Sequence, residues 1–398
     1  MSKKFSMLLA VVMIATLVLS ACAPAATATQ APTTAAPTAA AATATTAAAP
    51  AATATTAPAA PTATTAAAPA ATATTAATTA PAAAKIKGCL VTDVGGINDK
   101  SFNASAWKGL TDAQTKLGAT VQYLQSKQQT DYEKNLQAYV DEKCDLIVTV
   151  GFLLGDATAA AAKANTSQKF AIVDYSYDPV LPNVLGLTFA TDQAGFLAGY
   201  LAAGMTKTGK VGTFGGLQIP TVTIFEDGFY MGVQQYNKVH SKTVAVLGWD
   251  PMKKTGLFAG GFNDQDKGKQ LAQSLMQEGA DIIMPVAGAV GLGAAAAVKD
   301  SGKASLIGVD TDWTVTSPEY TSIMLTSVMK VIDVATFTAM QSAADGSFKG
   351  GNYVGTLANK GVAIAPYHDF DSKVPADLKA EIEKLQADII AGNVKTAP

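Results

Sequence analysis

The sequence predicts an α/β protein made of two similar lobes, each a three-layer αβα unit with a largely parallel sheet in the middle. Two observations carry this prediction. Short apolar runs alternate with longer amphipathic stretches, a pattern typical of parallel strands joined by helices. The alternation begins at Ile86 and starts again at Val211 after a helical stretch, so the chain contains two successive βα series.

The first series contains four predicted strands, each followed by a predicted helix. The strands are expected at residues 86–92, 120–124, 146–150 and 170–174, and the helices at 104–117, 132–142, 156–164 and 194–205. The runs that we assign to strands are rich in Val, Ile and Leu, as buried parallel strands are. We take residues 85–207 as the first lobe.

The second series repeats the pattern over residues 208–322, which we take as the second lobe. Its strands are expected at residues 211–214, 243–247, 282–286 and 306–309, and its helices at 230–238, 267–277 and 291–299. Residues 323–398 are expected to cross over and complete both lobes. A final helix at 375–391 has Leu378, Ile382, Leu385 and Ile389 at helical spacing, which predicts a buried stripe.

The amino terminus predicts export. Lys3 and Lys4 precede an uncharged apolar run at 5–21, which ends in small residues before Cys22. This is the pattern of a signal peptide at 1–21, and it resembles the lipobox of bacterial lipoproteins, in which the cysteine is acylated and becomes the new amino terminus. We therefore expect a protein lipid-anchored to the cell membrane on its extracytoplasmic face. An ordinary signal peptide is the alternative; a spanning helix is disfavoured because it needs ~20 apolar residues.

Residues 22–84 form the expected tether. After Cys22 the segment contains only Ala, Thr, Pro and a single Gln. Such a composition has too little large apolar surface to offset the entropy of ordering, so we predict a disordered linker. As a flexible coil it would span ~45 Å on average.

The charge pattern favours an uncharged partner. All 29 basic residues are lysine, against 31 acidic residues. Arginine is the usual residue for bidentate recognition of carboxylates and phosphates, so its absence disfavours an anionic ligand. With neither a basic run nor a positive domain, the chain is also not expected to bind nucleic acid.

Cys89 and Cys144 both lie at or near the start of apolar runs. Two separate buried thiols that pack as small hydrophobic groups are the favoured interpretation. A disulfide is the alternative, because the strands would be neighbours and the compartment is oxidising.

Polar and aromatic side chains gather at the predicted strand ends, where sheets of this type bind ligands. Asp93 follows the first strand and leads into the glycine-containing segment 94–103, and Asp174 ends the fourth strand. In the second series Phe262 precedes a helix and Asp310 follows the last strand. Each has an ordinary alternative as a helix cap or core residue. Their convergence from both series predicts a cleft.

Residues 92–103, Thr-Asp-Val-Gly-Gly-Ile-Asn-Asp-Lys-Ser-Phe-Asn, with Trp107 and Gly109, resemble the opening motif of the basic membrane protein (BMP/PnrA-like) family of substrate-binding lipoproteins. The resemblance extends over residues 85–398 in order. Further matching segments are 148–152, 170–174, 193–203, 266–269, 287–293, 307–310 and 326–330. It implies the type I periplasmic-binding-protein fold, a role in feeding an ABC importer, and a purine nucleoside as ligand.

The resemblance also implies roles for individual residues. Phe102 and Phe262 would sandwich a planar base between the lobes, and Asp174 would accept hydrogen bonds from its N–H groups. Stacking of this kind contributes ~1–3 kcal/mol per base.

The sugar would be held by a second group. Asp93, Asp310 and Lys330 would bind its hydroxyls, helped by Asn103 and the backbone of Gly288. This fits the chemistry, since carboxylates accept hydrogen bonds from hydroxyls.

One departure from the family pattern leaves the ligand open. Trp313 stands where relatives often have Gln, and Trp249 has no assigned role. Extra aromatic rings at the site would suit a wider ring system such as riboflavin, while packing is the alternative. A binding protein for riboflavin or a sugar therefore remains an alternative to the nucleoside.

The sequence disfavours catalysis. His240 and His368 are the two histidines and lie far apart, and Gly-x-Ser-x-Gly, His-Glu-x-x-His and phosphate-loop motifs are missing. We expect no catalytic residues, metal site or cofactor, and a monomer that closes about a hinge and docks on an ABC permease. A sensory receptor of the same fold is the alternative to a transport component.

Overall fold

The computed structural model describes residues 86–398; the predicted signal peptide, Cys22 and the linker lie outside the described residues. The strands are β1 (Lys87–Thr92), β2 (Thr120–Gln125), β3 (Leu146–Val150), β4 (Lys169–Val173), β5 (Val184–Phe189), β6 (Lys210–Gly215), β7 (Ala245–Leu247), β8 (Trp249–Asp250), β9 (Thr255–Gly256), β10 (Ile282–Val286), β11 (Ser305–Asp310), β12 (Met324–Lys330), β13 (Gly351–Gly355) and β14 (Val362–Ile364). The helices are α1 (Phe102–Leu117), α2 (Tyr132–Asp141), α3 (Gly155–Ala164), α4 (Thr191–Met205), α5 (Pro220–His240), α6 (Gln265–Gln277), α7 (Val290–Ser301), α8 (Trp313–Thr316), α9 (Ile332–Ala344) and α10 (Ala376–Ile390).

Two six-stranded sheets organise the fold. The first has the order β13-β5-β4-β3-β1-β2 and is parallel throughout. The second has the order β14-β12-β11-β10-β6-β7 and is parallel except for the edge strand β14, which pairs antiparallel with β12. Each sheet with its flanking helices is called a lobe below.

Helices cover both faces of each sheet. In the first sheet, Leu90 and Val148 pack towards α1 and α9, whereas Val91 and Ile147 pack towards α2 and α3. In the second sheet, α4 and α5 cover one face, and α6 and α7 cover the other. This confirms the predicted three-layer α/β class.

Most predicted elements of the two βα series are present, with ends that shift by at most three residues. The helix predicted at 230–238 is part of a longer one, because α5 begins at Pro220. Proline is favoured in the first turn of a helix, where the N–H that it lacks has no partner anyway. Strands β5, β8, β9, β12, β13 and β14 and helices α8 and α9 have no counterpart among the predicted elements. The predicted stripe of α10 is confirmed, since all four of its members are buried.

Cys89 and Cys144 are joined by a disulfide, with their Cα atoms 6.0 Å apart. The favoured expectation of two separate thiols is therefore wrong. Strands β1 and β3 are neighbours in register, and both cysteines belong to the same buried cluster on one face of the first sheet. The disulfide joins β1, the first strand of the lobe, to the segment directly before β3, a strand near the middle of the sheet.

None of the helices in residues 86–398 combines the length and the apolar character that a bilayer crossing requires. In the same residues, no group of three or more His, Cys, Asp or Glu side chains is arranged to hold a metal ion.

Candidate ligand-binding site

A cavity lies where the carboxyl ends of the two sheets face each other. The space free of protein atoms there measures about 560 Å³, which includes open solvent at the mouth of the cavity. The structure brings all eight residues predicted for the site to its wall: Asp93, Phe102, Asn103, Asp174, Phe262, Gly288, Asp310 and Lys330.

Asp174 and Asp310 occupy equivalent places in the two lobes. Asp174 follows β4 of the first sheet, and Asp310 ends β11 of the second. Both have positive φ, 67° and 69°, a conformation that L residues other than Asn and Asp seldom adopt. Strain of this kind clusters at functional sites, and here it occurs where both carboxylates enter the cavity.

Lys330, at the end of β12, supplies a buried cation between these carboxylates. Its Nζ lies 2.7 Å from Asp174 Oδ2 and 3.9 Å from Asp310 Oδ1. The same ammonium lies 5.0 Å from the ring centroids of Phe102 and Phe225. With only 3% of its side chain exposed, Lys330 is held by charge and by aromatic faces together.

Asp93, Asp99 and Asn103 form a polar network in the first lobe. Asn103 Nδ2 donates to Asp93 Oδ1 at 2.9 Å and lies 3.2 Å from Asp99 Oδ2. Its Oδ1 is buried and has no hydrogen-bond partner among the described residues. Because Asn103 lines the cavity, this oxygen is available to accept a hydrogen bond from a ligand.

Burial raises the pKa of Asp93, Asp174 and Asp310. The Lys330 ammonium opposes this rise in pKa at Asp174 and Asp310, and the Asn103 side chain opposes it at Asp93. Burial also raises the pKa of Asp99 to about 6, although hydrogen bonds from backbone N–H groups at the start of α1 act to lower it. Each carboxyl is therefore costly to keep charged without a partner, so a ligand rich in O–H and N–H donors would stabilise the site.

Most of the remaining wall is apolar. Phe102 comes from the first lobe and Phe262 from the second, and both are half-buried. The Phe262 ring packs so closely on Gly216 that a Cβ there would lie 2.3 Å from its Cε1. Glycine at 216 is therefore needed for the ring to take this position.

Several wall residues were not predicted. Ile219 directly precedes α5, Thr221 and Phe225 lie in its first turns, and Phe152 follows β3. Pro220 was the available signal, because a proline after a strand end indicates the first turn of a helix there.

The two tryptophans do not line the cavity. Trp313 is fully buried, and its Nε1 donates to Val309 O at 2.9 Å. Trp249 Nε1 donates to Oδ1 of Asp227, a residue of α5, at 2.8 Å. Both are packing residues, so the observation that suggested a wider ring system does not apply to this cavity.

Solved structures place this architecture among the solute-binding proteins of ABC transporters. One from Aeropyrum pernix is similar over 78% of this chain and 92% of its own, with a TM-score of 0.72 and 26% identity. One from Conexibacter woesei, 22% identical with a TM-score of 0.60, shares the fold over 78% of this chain and 98% of its own. The class of protein is thus a substrate-binding component of an ABC transporter, not an enzyme.

Residues 86–394 match the family described as ABC transporter substrate-binding protein PnrA-like, and the chain belongs to this family. The ABC transporter nucleoside-binding protein BmpA of Lactococcus lactis subsp. cremoris is 32% identical over 80% of this chain and 90% of its own. Basic membrane protein A2 of Borrelia garinii subsp. bavariensis is 30% identical over 74% of this chain and 84% of its own. An uncharacterised lipoprotein of Pyrococcus abyssi is 32% identical over 77% of this chain and 75% of its own. The resemblance seen at residues 92–103 is confirmed.

Proposed function

We propose that this protein is the lipid-anchored, extracytoplasmic receptor of an ABC importer for a neutral nucleoside, with purine nucleosides as the first candidates. One observation carries the proposal. Aromatic rings from both lobes and hydrogen-bond acceptors from both sheets converge on a single cavity. A ligand that presents a planar ring and several hydroxyls would join the lobes and favour their closed arrangement.

The base would lie between Phe102 and Phe262, which reach the cavity from opposite lobes. Asp174 is already bound to Lys330 through Oδ2, so its Oδ1 is the atom that would accept a base N–H. The carboxylate of Asp174 would thus bind Lys330 through one oxygen and the ligand through the other.

The sugar would face the polar side of the cavity. Asp93, Asp310 and the unpartnered Asn103 Oδ1 are acceptors, and Lys330 is a donor. The backbone of Gly288, with φ of 54°, completes this side. Hydroxyls, which both donate and accept, suit such a mixed set.

Two relatives support the wider assignment. The Lactococcus relative is named a nucleoside-binding protein, and the Pyrococcus relative is named a lipoprotein. In our proposal Cys22 carries the lipid, and residues 23–84 are the linker between this anchor and the lobes. Lobes 85–207 and 208–322 close about a hinge, with 323–398 completing both, and the closed form delivers its ligand to the permease.

A thermal-shift screen of the protein tests the ligand class. Adenosine, guanosine and inosine are compared with ribose, riboflavin and amino acids. A ligand present at 100 times its Kd raises the unfolding free energy by ~2.7 kcal/mol, which moves the midpoint visibly. A shift with a nucleoside but not with ribose supports the proposal. A shift only with riboflavin, a sugar or an amino acid would replace the ligand and keep the class.

A further inference from the structure

A set of side-chain contacts joins the two lobes at the edge of the cavity: Val309 and Asp310 line the cavity, whereas their partner Ser101 does not. Ser101 Oγ, in the first lobe, lies 2.7 Å from Asp310 Oδ2 and 3.0 Å from Val309 O, both in the second lobe. Ser101 is fully buried. Its hydroxyl has one proton, and the shorter distance assigns that proton to the carboxylate.

The local structure frees this hydroxyl for the role. Ser101 occupies the N-cap position of α1, where a serine ordinarily accepts a hydrogen bond from the first turn. Here its side chain makes no such bond. Asp99 accepts from the backbone N–H groups of Asn103 and Ala104 instead, at 2.7 and 3.0 Å. Because Asp99 caps the helix, the Ser101 hydroxyl is available to the other lobe.

Other side chains of the second lobe reach the same loop. Thr311 Oγ1 donates to Lys100 O at 3.3 Å, and Asn263 Nδ2 donates to Val94 O. The contacts Ser101–Asp310 and Thr311–Lys100 are called the latch. They are made between protein groups, so they exist only while the lobes are together.

We propose that Ser101 is a positioning residue whose hydrogen bond to Asp310 stabilises the closed form and thereby raises the affinity for any ligand of the cleft. This inference rests on the proposed function. Any free energy that favours closure adds to the apparent affinity, whichever ligand is bound. A buried hydrogen bond to a carboxylate is among the stronger kinds, so this one is expected to dominate the latch.

Ser101→Ala tests the latch, with Ser105→Ala as the matched control. Ser105 is also buried and lies one turn further along α1. Dissociation constants and dissociation rates are measured for inosine and for adenosine. Ser101→Ala should weaken both by the same factor, about 10- to 100-fold, mainly through faster dissociation, and Ser105→Ala should change neither. An unchanged affinity, or a change for one nucleoside only, would overturn the proposal.

Hydrogen exchange of the full chain separates the latch from the ligand contacts and from misfolding. Residues 94–101 and 309–312 should exchange faster in Ser101→Ala, and the cores of both lobes should keep the wild-type rates. Thr311→Val, which removes the weaker contact, should shift the same segments in the same direction but less. If no nucleoside binds the wild-type protein, the proposed function fails. The exchange rates of the free proteins then decide the latch: faster exchange at both segments supports it, and equal exchange overturns it.

Discussion

Lys330 Nζ donates to Asp174 Oδ2 at 2.7 Å and connects the ends of strands from two different sheets. Both side chains are buried, with 3% and 7% exposed. The pair is thus a contact between the lobes, and it also places a lysine of the cavity wall among the carboxylates. Removing one partner of such a pair leaves a buried charge without compensation.

We expect Lys330→Met to weaken ligand binding strongly and to lower the free energy of unfolding by up to ~3 kcal/mol, because Asp174 and Asp310 lose their counter-charge. Opening of the cleft or protonation of Asp174 would reduce this loss of unfolding free energy. The pKa of Asp174 should rise further without the ammonium, so the loss of stability should grow as the pH is raised from 5 to 8. Urea unfolding over this range measures it.

Lys238→Met is the control for that experiment, since Lys238 is an exposed lysine of α5. It should leave both unfolding and affinity at the wild-type values. Equal stability of Lys330→Met and the wild type at pH 8 would contradict the role of the lysine as the compensating charge.

The aromatic sandwich predicts that Phe262→Ala weakens nucleoside binding about 5- to 150-fold, the equivalent of ~1–3 kcal/mol of base stacking. The fold should remain intact because the ring is half-buried at the cavity wall. Phe258→Ala is the matched control, since this ring packs on Trp249 within the second lobe and does not line the cavity. Calorimetric titration with inosine distinguishes the two. Unchanged affinity in Phe262→Ala would remove this residue from the site.

The disulfide between Cys89 and Cys144 closes a chain segment with a sequence separation of 55 residues. A loop of this length predicts that the bond contributes ~4 kcal/mol by restricting the unfolded chain. Adding a reductant should therefore lower the urea midpoint of the wild-type protein markedly. The double variant Cys89→Ala/Cys144→Ala should be less stable and insensitive to the reductant. A wild-type midpoint that does not change when the thiols are shown to be free would contradict this estimate.

The sequence predicted the cavity better than it predicted the chain that surrounds it. Asp93, Asp174 and Asp310 follow from a general rule, since parallel strands present their carboxyl ends at one edge. Lys330 did not follow from that rule: it was placed by the family resemblance, and its strand β12 was not predicted. The sequence contains no local signal that this lysine enters a cavity rather than solvent.

Other misses have a different cause. Phe225 reaches the cavity only because α5 extends back to Pro220, whereas the helix predicted from the sequence covers residues 230–238 alone. Trp313 departs from the family pattern, which leaves a wider ring system and simple packing as the two interpretations. Its neighbour Gly308 leaves room for the indole, because a Cβ there would lie 2.7 Å from Trp313 Cγ. No pattern in the sequence indicates that the Trp313 ring packs against the backbone of Gly308.

Glu226 yields a prediction that is independent of the ligand. It is fully buried in α5, its Oε1 lies 3.5 Å from Thr213 Oγ1, and its Oε2 has no partner among the described residues. Burial raises its pKa well above the ordinary value, so the folded protein keeps this proton to a higher pH than the unfolded chain, which releases it near pH ~4.3. Stability from this group is therefore complete below that pH and is lost as the pH rises towards the folded pKa.

Glu226→Gln keeps the shape and the hydrogen bond but cannot titrate. We expect the variant to be more stable than the wild type at pH 8, with a difference that shrinks by up to ~1.4 kcal/mol per pH unit on acidification. The difference should be smallest below pH 4, where both side chains are neutral. Urea unfolding at several pH values measures it, with Glu133→Gln as an exposed control whose difference should stay flat. A flat difference for Glu226→Gln as well would mean that this carboxyl is ionised in the folded protein, and that water or a rearranged side chain compensates its charge.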